Sequence, residues 1–285
     1  MTSHPEIGDS PIPFALPQPG VPVIRNVNWG GLRTLYIKEV RRFFKVQLQT
    51  IWAPAVTTLL FLVIFTVALG GSGRTVGLQG REFHYAAFLA PGLIVMGMLQ
   101  NAFANASFSL LVGKIQGTIV DYLMPPLSTG ELLGALTAGA VTRAFCVGGA
   151  VWLAMLCWLG GALVPQHVWA VLWFGLLGST LLALLGVLTS IWAEKFDHAA
   201  AVTNFVVAPL ALLSGTFYSV ERLAPLFRTI SHFNPFFYVI SGFRYGFLGV
   251  SDSPVITGSL VVLGLDVALG LFCYWLLKSG WKLKS

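Results

Sequence analysis

The chain has 285 residues and a formal net charge of +6, with 10% charged and 56% hydrophobic residues and a mean hydropathy of +0.79. Ordinary soluble domains carry about 25% charged residues, so a water-soluble globule is excluded: too few charges exist to cover so much apolar surface. The basic residues gather at the ends of apolar runs, which argues against a nucleic-acid partner and for an integral membrane protein.

Only helices or closed barrels satisfy their backbone within lipid. Unbroken runs such as TTLLFLVIFTVALG replace the alternating segments a barrel would need, so the spans are expected to be helical. In chain order, residues 1–27 are Pro-rich and polar, without the apolar core of a cleavable signal, and predict a disordered cytoplasmic tail. Residues 28–50 follow. Leu32, Leu35, Tyr36, Val40, Phe43 and Phe44 recur there at helical spacing among Arg33, Lys38, Glu39, Arg41, Arg42 and Lys45. This predicts an amphipathic helix in the membrane interface.

Six apolar spans are expected, near 51–70, 87–112, 132–163, 168–192, 200–219 and 255–277. The third is longer than a bilayer core and should tilt or project. The second has a polar inner half: Gln100, Asn101 and Asn105, with Ser107 and Ser109, suit helix packing or the lining of a path. Gly134, Gly139, Gly148 and Gly149 predict close helix approach. Cys146, Cys157 and Cys273 lie in apolar runs and predict packed thiols with no disulfide.

Between spans two and three lies GKIQGTIVDYLMPPLSTGE, residues 113–131. A short helix there would place Ile115, Ile119, Tyr122 and Leu123 on one face, with Pro125-Pro126 as its stop. Residues 219–254 are aromatic and too polar to span, and predict one or two short helices broken near Asn234-Pro235. With the N-terminus inside, the inner segments hold Arg25, Arg33, Lys38, Arg41, Arg42, Lys45, Lys114, Lys195, Lys278, Lys282 and Lys284, and the outer segments only Arg74, Arg81, Arg222, Arg228 and Arg244. The positive-inside rule therefore places both termini and 113–131 in the cytoplasm.

No GxxxxGK[ST] phosphate loop, HExxH or CxxC occurs, and the five histidines are scattered. No catalytic or metal site is expected. Two charges fall within spans, Arg143 and Asp266. They predict an interhelical pair or a polar patch in a conduit, or else an Arg143 that snorkels while Asp266 bonds to a neighbouring helix.

Five segments stand in a telling order: the basic helix, FLAPGLIVMGMLQNAFANASFSL, GTIVDYLMPPLSTGELLGA, PLALLSGTFYSVERLAP and FNPFFYVISGFRYGFLG. Over roughly residues 28 to 280 the chain resembles the ABC-2 type exporter permeases, membrane subunits of bacterial ABC transporters. The Pro-rich tail has no counterpart. The resemblance implies an all-α integral membrane fold in the bacterial inner membrane, working as a dimer of permease chains, a homodimer in the simplest case. Two separate ABC ATPase subunits would dock beneath, with ATP and Mg bound on them and no cofactor in this chain.

It further implies that 113–131 is the coupling loop, with Ile115, Gln116, Ile119, Asp121, Tyr122, Leu123 and Met124 as ATPase-coupling residues. The 28–50 helix is similar to a connecting helix whose Lys38, Glu39, Arg41 and Arg42 also meet the ATPase. Asn234, Pro235, Phe236, Phe243 and Arg244 would belong to re-entrant outer helices near the exit. The implied function is export of a hydrophobic, lipid-linked, drug-like or polysaccharide cargo. Two alternatives differ in kind. A secondary transporter or channel working alone needs mid-span carboxylates, of which Asp266 is one. A lipid-modifying enzyme needs an acid, base or metal constellation.

Overall fold

In the computed structural model, residues 27–67, 75–220 and 224–283 are described. The expected tail therefore lies, but for Val27, outside the described residues. The chain folds as a helical bundle. Helix α1 spans Trp29–Phe44 and is capped by Asn28, whose side chain accepts from the Gly31 amide at 2.9 Å. A π-helical turn, Leu48–Trp52, leads into α2, Ala53–Val67. A two-stranded antiparallel hairpin follows, β1 (Thr75–Leu78) and β2 (Arg81–His84). Then come α3 (Tyr85–Ile115), α4 (Val120–Leu123) and α5 (Thr129–Leu159), with a 3-10 turn at Gly160–Leu163. Helix α6 is Val168–Trp192; α7 (Phe196–Val202) runs through a second π turn, Thr203–Val207, into α8 (Ala208–Leu212). Helices α9 (Pro225–Phe233), α10 (Pro235–Leu248) and α11 (Val255–Ser279) complete the chain.

Among the described residues, five helices are long and apolar enough to cross a membrane: Leu48–Val67, α3, α5, α6 and α11. The span expected at 200–219 corresponds to the shorter apolar run Phe196–Leu212. Both π turns stand just before a proline, Pro54 and Pro209. A proline lacks the N–H that its i−4 carbonyl would accept, and its ring crowds that carbonyl. The wider turn moves the carbonyl aside: the Ala53 and Ala208 amides donate one residue further back, to the Leu48 and Thr203 carbonyls. The hairpin was not foreseen. Its two-residue turn, Gln79-Gly80, has φ of 48° and 76°, the positive pair a twisted two-residue hairpin turn requires.

Helix α3 is the axis of the bundle, buried by α2, α5, α6 and α10. Gly148 permits α5 to approach it: a Cβ there would stand 2.6 Å from Met98. Gly139 likewise admits Glu39 of α1, at 2.7 Å. The other two glycines correct the expectation, because a Cβ at Gly134 or Gly149 would meet nothing within 4 Å. Asn234 divides α9 from α10 as the Asn-Pro pair predicts. Its Oδ1 accepts from the Phe236 amide at 3.0 Å, and its Nδ2 donates to the Leu210 carbonyl at 2.6 Å. From there α10 rises along α6: Val239 lies against Gly178, Gly242 against Phe174, and Gly246 against Val171. It starts level with the middle of α6 and ends at that helix's first turn.

The connections sort into two ends. One holds α1, the 116–128 link, the 193–195 link and residues 280–283, tied by the Lys282–Glu194 pair at 2.8 Å. The other holds the hairpin and the 249–254 link, joined where Gln79 Nε2 donates to the Ser251 carbonyl at 2.8 Å.

Candidate functional site

The 113–131 segment is more divided than its sequence suggests. Helix α3 continues to Ile115, Gly117 turns the chain at φ 71°, and only one helical turn, α4, follows. Pro125-Pro126 then stops it, and Ser128 with Glu131 forms a capping box that starts α5. The expected apolar face is also rearranged. Tyr122 is buried and Ile119 half-buried, both turned toward the bundle, whereas Ile115, Gln116, Val120, Asp121, Leu123 and Met124 are exposed. The outward apolar tip is thus Ile115, Val120, Leu123 and Met124, the last 78% exposed.

Behind that tip lies a buried ionic cluster. Glu39 of α1 has no exposed surface. Its carboxylate pairs with Arg42 at 2.9 Å, accepts from Ser109 Oγ of α3 at 2.8 Å and from the Tyr122 hydroxyl at 3.4 Å. Arg42 donates in turn to the Asn105 carbonyl at 2.8 Å and to its Oδ1 at 3.1 Å. The Lys38 ammonium stands 3.7 Å from the Tyr122 ring centre. A buried carboxylate is tolerable only when paired and hydrogen-bonded, and here both conditions hold. Burial, with the Glu39 charge beside it, pushes the Tyr122 phenol up to about 12, so it remains a hydrogen-bond donor.

Three elements distant in sequence thereby become one body. The Asn28 amide adds a bond to Glu131 Oε1 at 2.6 Å, and Asn28 Nδ2 donates to the Pro126 carbonyl at 3.0 Å, stitching the start of α1 to the α4–α5 link. Lys38 and Arg41 are exposed beside the tip, whereas Glu39 and Arg42 are committed inward. Lys114, an expected inside charge, also has a structural role. Its ammonium donates to the Ile191 and Ala193 carbonyls at 2.7 and 2.6 Å, closing the C-terminal end of α6.

The intramembrane polar residues separate into three places. Gln100 and Asn101 line a groove of about 560 Å³ between α2, α3 and α8, shared with Gln49, Thr57, Thr58 and Phe217. Asn101 Oδ1 accepts from Arg143 at 3.0 Å. Asn105 belongs to the Glu39 cluster instead. Asp266 is buried on α11, and both its oxygens lack a hydrogen-bond partner among the described residues. Arg143 and Asp266 do not pair, and Asp266 does not bond to a neighbouring helix.

At the opposite end, Arg244 and Phe243 lie inside the bundle and not on its outer surface. Arg244 pairs with Asp252, donates to the Gly215 carbonyl at 2.8 Å and stands 4.0 Å from the Phe88 ring centre. Phe236 is equally buried, and Pro235 starts α10. Asp252 was missed in the sequence; a lone carboxylate in a polar loop carried no signal of its partner.

Comparison with known proteins accords with this arrangement. The family described as ABC-2 type transporter matches residues 31–248, from α1 through α10. The chain belongs to the ABC-2 type transporter family. It is 36% identical over 258 residues to the inner membrane transport permease YadH of Escherichia coli K12, covering 90% of this chain and 98% of that protein. It is 27% identical over 216 residues to nodulation protein J of Neorhizobium galegae, covering 74% of this chain and 79% of the relative. Nodulation protein J of Rhizobium leguminosarum bv. viciae is also 27% identical, over 227 residues. This ABC-2 chain is thus a multi-pass inner-membrane protein and a membrane subunit of an ABC transporter.

Proposed function

We propose that two copies of this chain form the conduit of an ATP-driven exporter, powered by two separate ATPase subunits that bind ATP and Mg and dock at the α1–α4 end. The observation that carries this is the exposed apolar tip of Ile115, Val120, Leu123 and Met124 backed by the buried Glu39 cluster. Exposed apolar side chains on a rigid turn fit a partner cleft. The cluster fixes that turn to both α1 and α3, so a push on the tip reaches the central helix without being absorbed. The α1–α4 end is then cytoplasmic, and α9–α10 is a re-entrant pair near the exit. The groove beside Gln100 and Asn101 is the wall of the path, completed by the second copy. Its mixed aromatic and amide lining suits an amphipathic or lipid-linked cargo.

The test is Leu123→Asp with Met124→Asp in the full complex. Two carboxylates forced into an apolar cleft should lower ATP-driven export in inverted vesicles by about a hundredfold or more, with membrane insertion unchanged. Export at the normal rate, with the ATPase still co-purifying, would overturn the assignment.

A further inference from the structure

Between α6, α11 and the run from α7 into its π turn lies an apolar crevice of about 750 Å³. It shares no residue with the polar groove or the coupling tip. Leu185, Leu188, Val206 and Phe272 form its walls. The polar atoms of Thr189 and Ser279 in its lining are already satisfied: their hydroxyls donate to the Leu185 and Leu276 carbonyls, each at 2.8 Å. A buried water needs about two to four polar partners, and these walls offer only the acceptor lone pairs of those two hydroxyls, one of them already taken by the Trp281 amide. Because α6 and α11 are membrane spans, the crevice opens onto hydrocarbon.

Its mouth has a different chemistry. Trp192, Trp275 and Trp281 rim it, at the last turns of α6 and α11 and just beyond. Tryptophan gathers at the membrane–water boundary, where the ring is apolar and the N–H wet. The three indole N–H groups have no hydrogen-bond partner among the described residues; the indole donors that do are Trp152 and Trp173. Two ammonium groups lie on the same end of α11. Lys278 has no ion-pair partner among the described residues. Lys282 stands 5.6 Å from the Trp281 ring centre and keeps Glu194 on one side at 2.8 Å.

An apolar slot rimmed by three N–H donors, with the Lys282 ammonium beside Trp281 and Lys278 next to the lining residue Ser279 in sequence, is complementary to one chemical class. We infer that this crevice seats an acyl chain of an anionic membrane phospholipid, with its phosphate held at the mouth by Lys278 and Lys282. The lipid fills the gap between α7 and α11 that the chain does not close for itself. The site is a bound-lipid seat and not the cargo path. It rests on the membrane placement of the family and is independent of how the ATPase docks.

The experiment is native mass spectrometry of the full-length permease exchanged into phosphatidylglycerol or phosphatidylcholine of equal chain length, with diacylglycerol as the phosphate-free control. Phosphatidylglycerol should be retained in preference to both. Lys278→Ala with Lys282→Ala should weaken retention about thirtyfold, from roughly one unit of surface attraction per lysine. Val206→Trp should displace the lipid by filling the slot while both lysines remain. An unchanged melting temperature in detergent keeps these variants interpretable. Equal retention of all three lipids, or retention unaffected in both variants, overturns the proposal. So does disulfide-linked dimer formation through Val206→Cys, which would make the crevice a contact between copies, or loss of the lipid on adding transport cargo.

Discussion

Glu39 sits in a strongly basic stretch, in a helix that the family resemblance turns toward the ATPase. The structure buries it completely, against Ser109 and Tyr122, which are 70 and 83 positions away. No local pattern carries that information, because the partners arrive only when α1 folds across α3 and α4. Removing one member of a buried pair leaves the other uncompensated, at a cost of about 3 to 5 kcal/mol. Glu39→Ala should therefore lower thermal stability in detergent by about 3 kcal/mol, at the low end because Arg42 keeps partial exposure. Tyr122→Phe removes a single 3.4 Å hydrogen bond and should cost only about 0.5 to 1.5 kcal/mol. A Glu39→Ala protein as stable as the parent would show that the cluster does not bind α1 to the bundle.

At the level of the elements, the breaks were legible and the faces were not. Asn234-Pro235 and Pro125-Pro126 act through a missing N–H or a side-chain acceptor, which are properties of the residues themselves. Gly148 and Gly149 are adjacent and chemically identical, yet one meets Met98 and the other open space. Helix rotation alone decides between them. The most crowded of these approaches is Gly242, where a Cβ would enter the Phe174 ring. Gly242→Ala should push α10 off α6 and cost about 1 to 3 kcal/mol, read as a lowered melting temperature, whereas Gly149→Ala should be neutral. Equal effects of the two would mean that α10 is not seated on α6 as described.

For the whole molecule, the segments rich in Lys and Arg come together at the α1–α4 end, and the hairpin and the 249–254 link gather at the other. Single cysteines test the orientation. With Cys146, Cys157 and Cys273 replaced, Asp121→Cys should react with an impermeant maleimide only from the cytoplasmic side, and Gln79→Cys only from outside. Labelling of both from one side would refute the arrangement. Only 22% of the apolar window in Leu48–Val67 and 28% of that in α11 is buried within the chain. Those bands are left to lipid or to a second copy. Composition and apolar run length, read from the sequence by itself, determined that the protein lives in a membrane, that its spans are helical and where prolines interrupt them. Exclusion of water acts on local hydropathy and on backbone hydrogen bonding, both visible residue by residue. The tertiary structure alone decided that Tyr122 turns inward, that Arg143 meets Asn101 and not Asp266, and that Arg244 is an internal ion pair. Each of those depends on the angle at which a helix is rotated about its own axis against neighbours far along the chain.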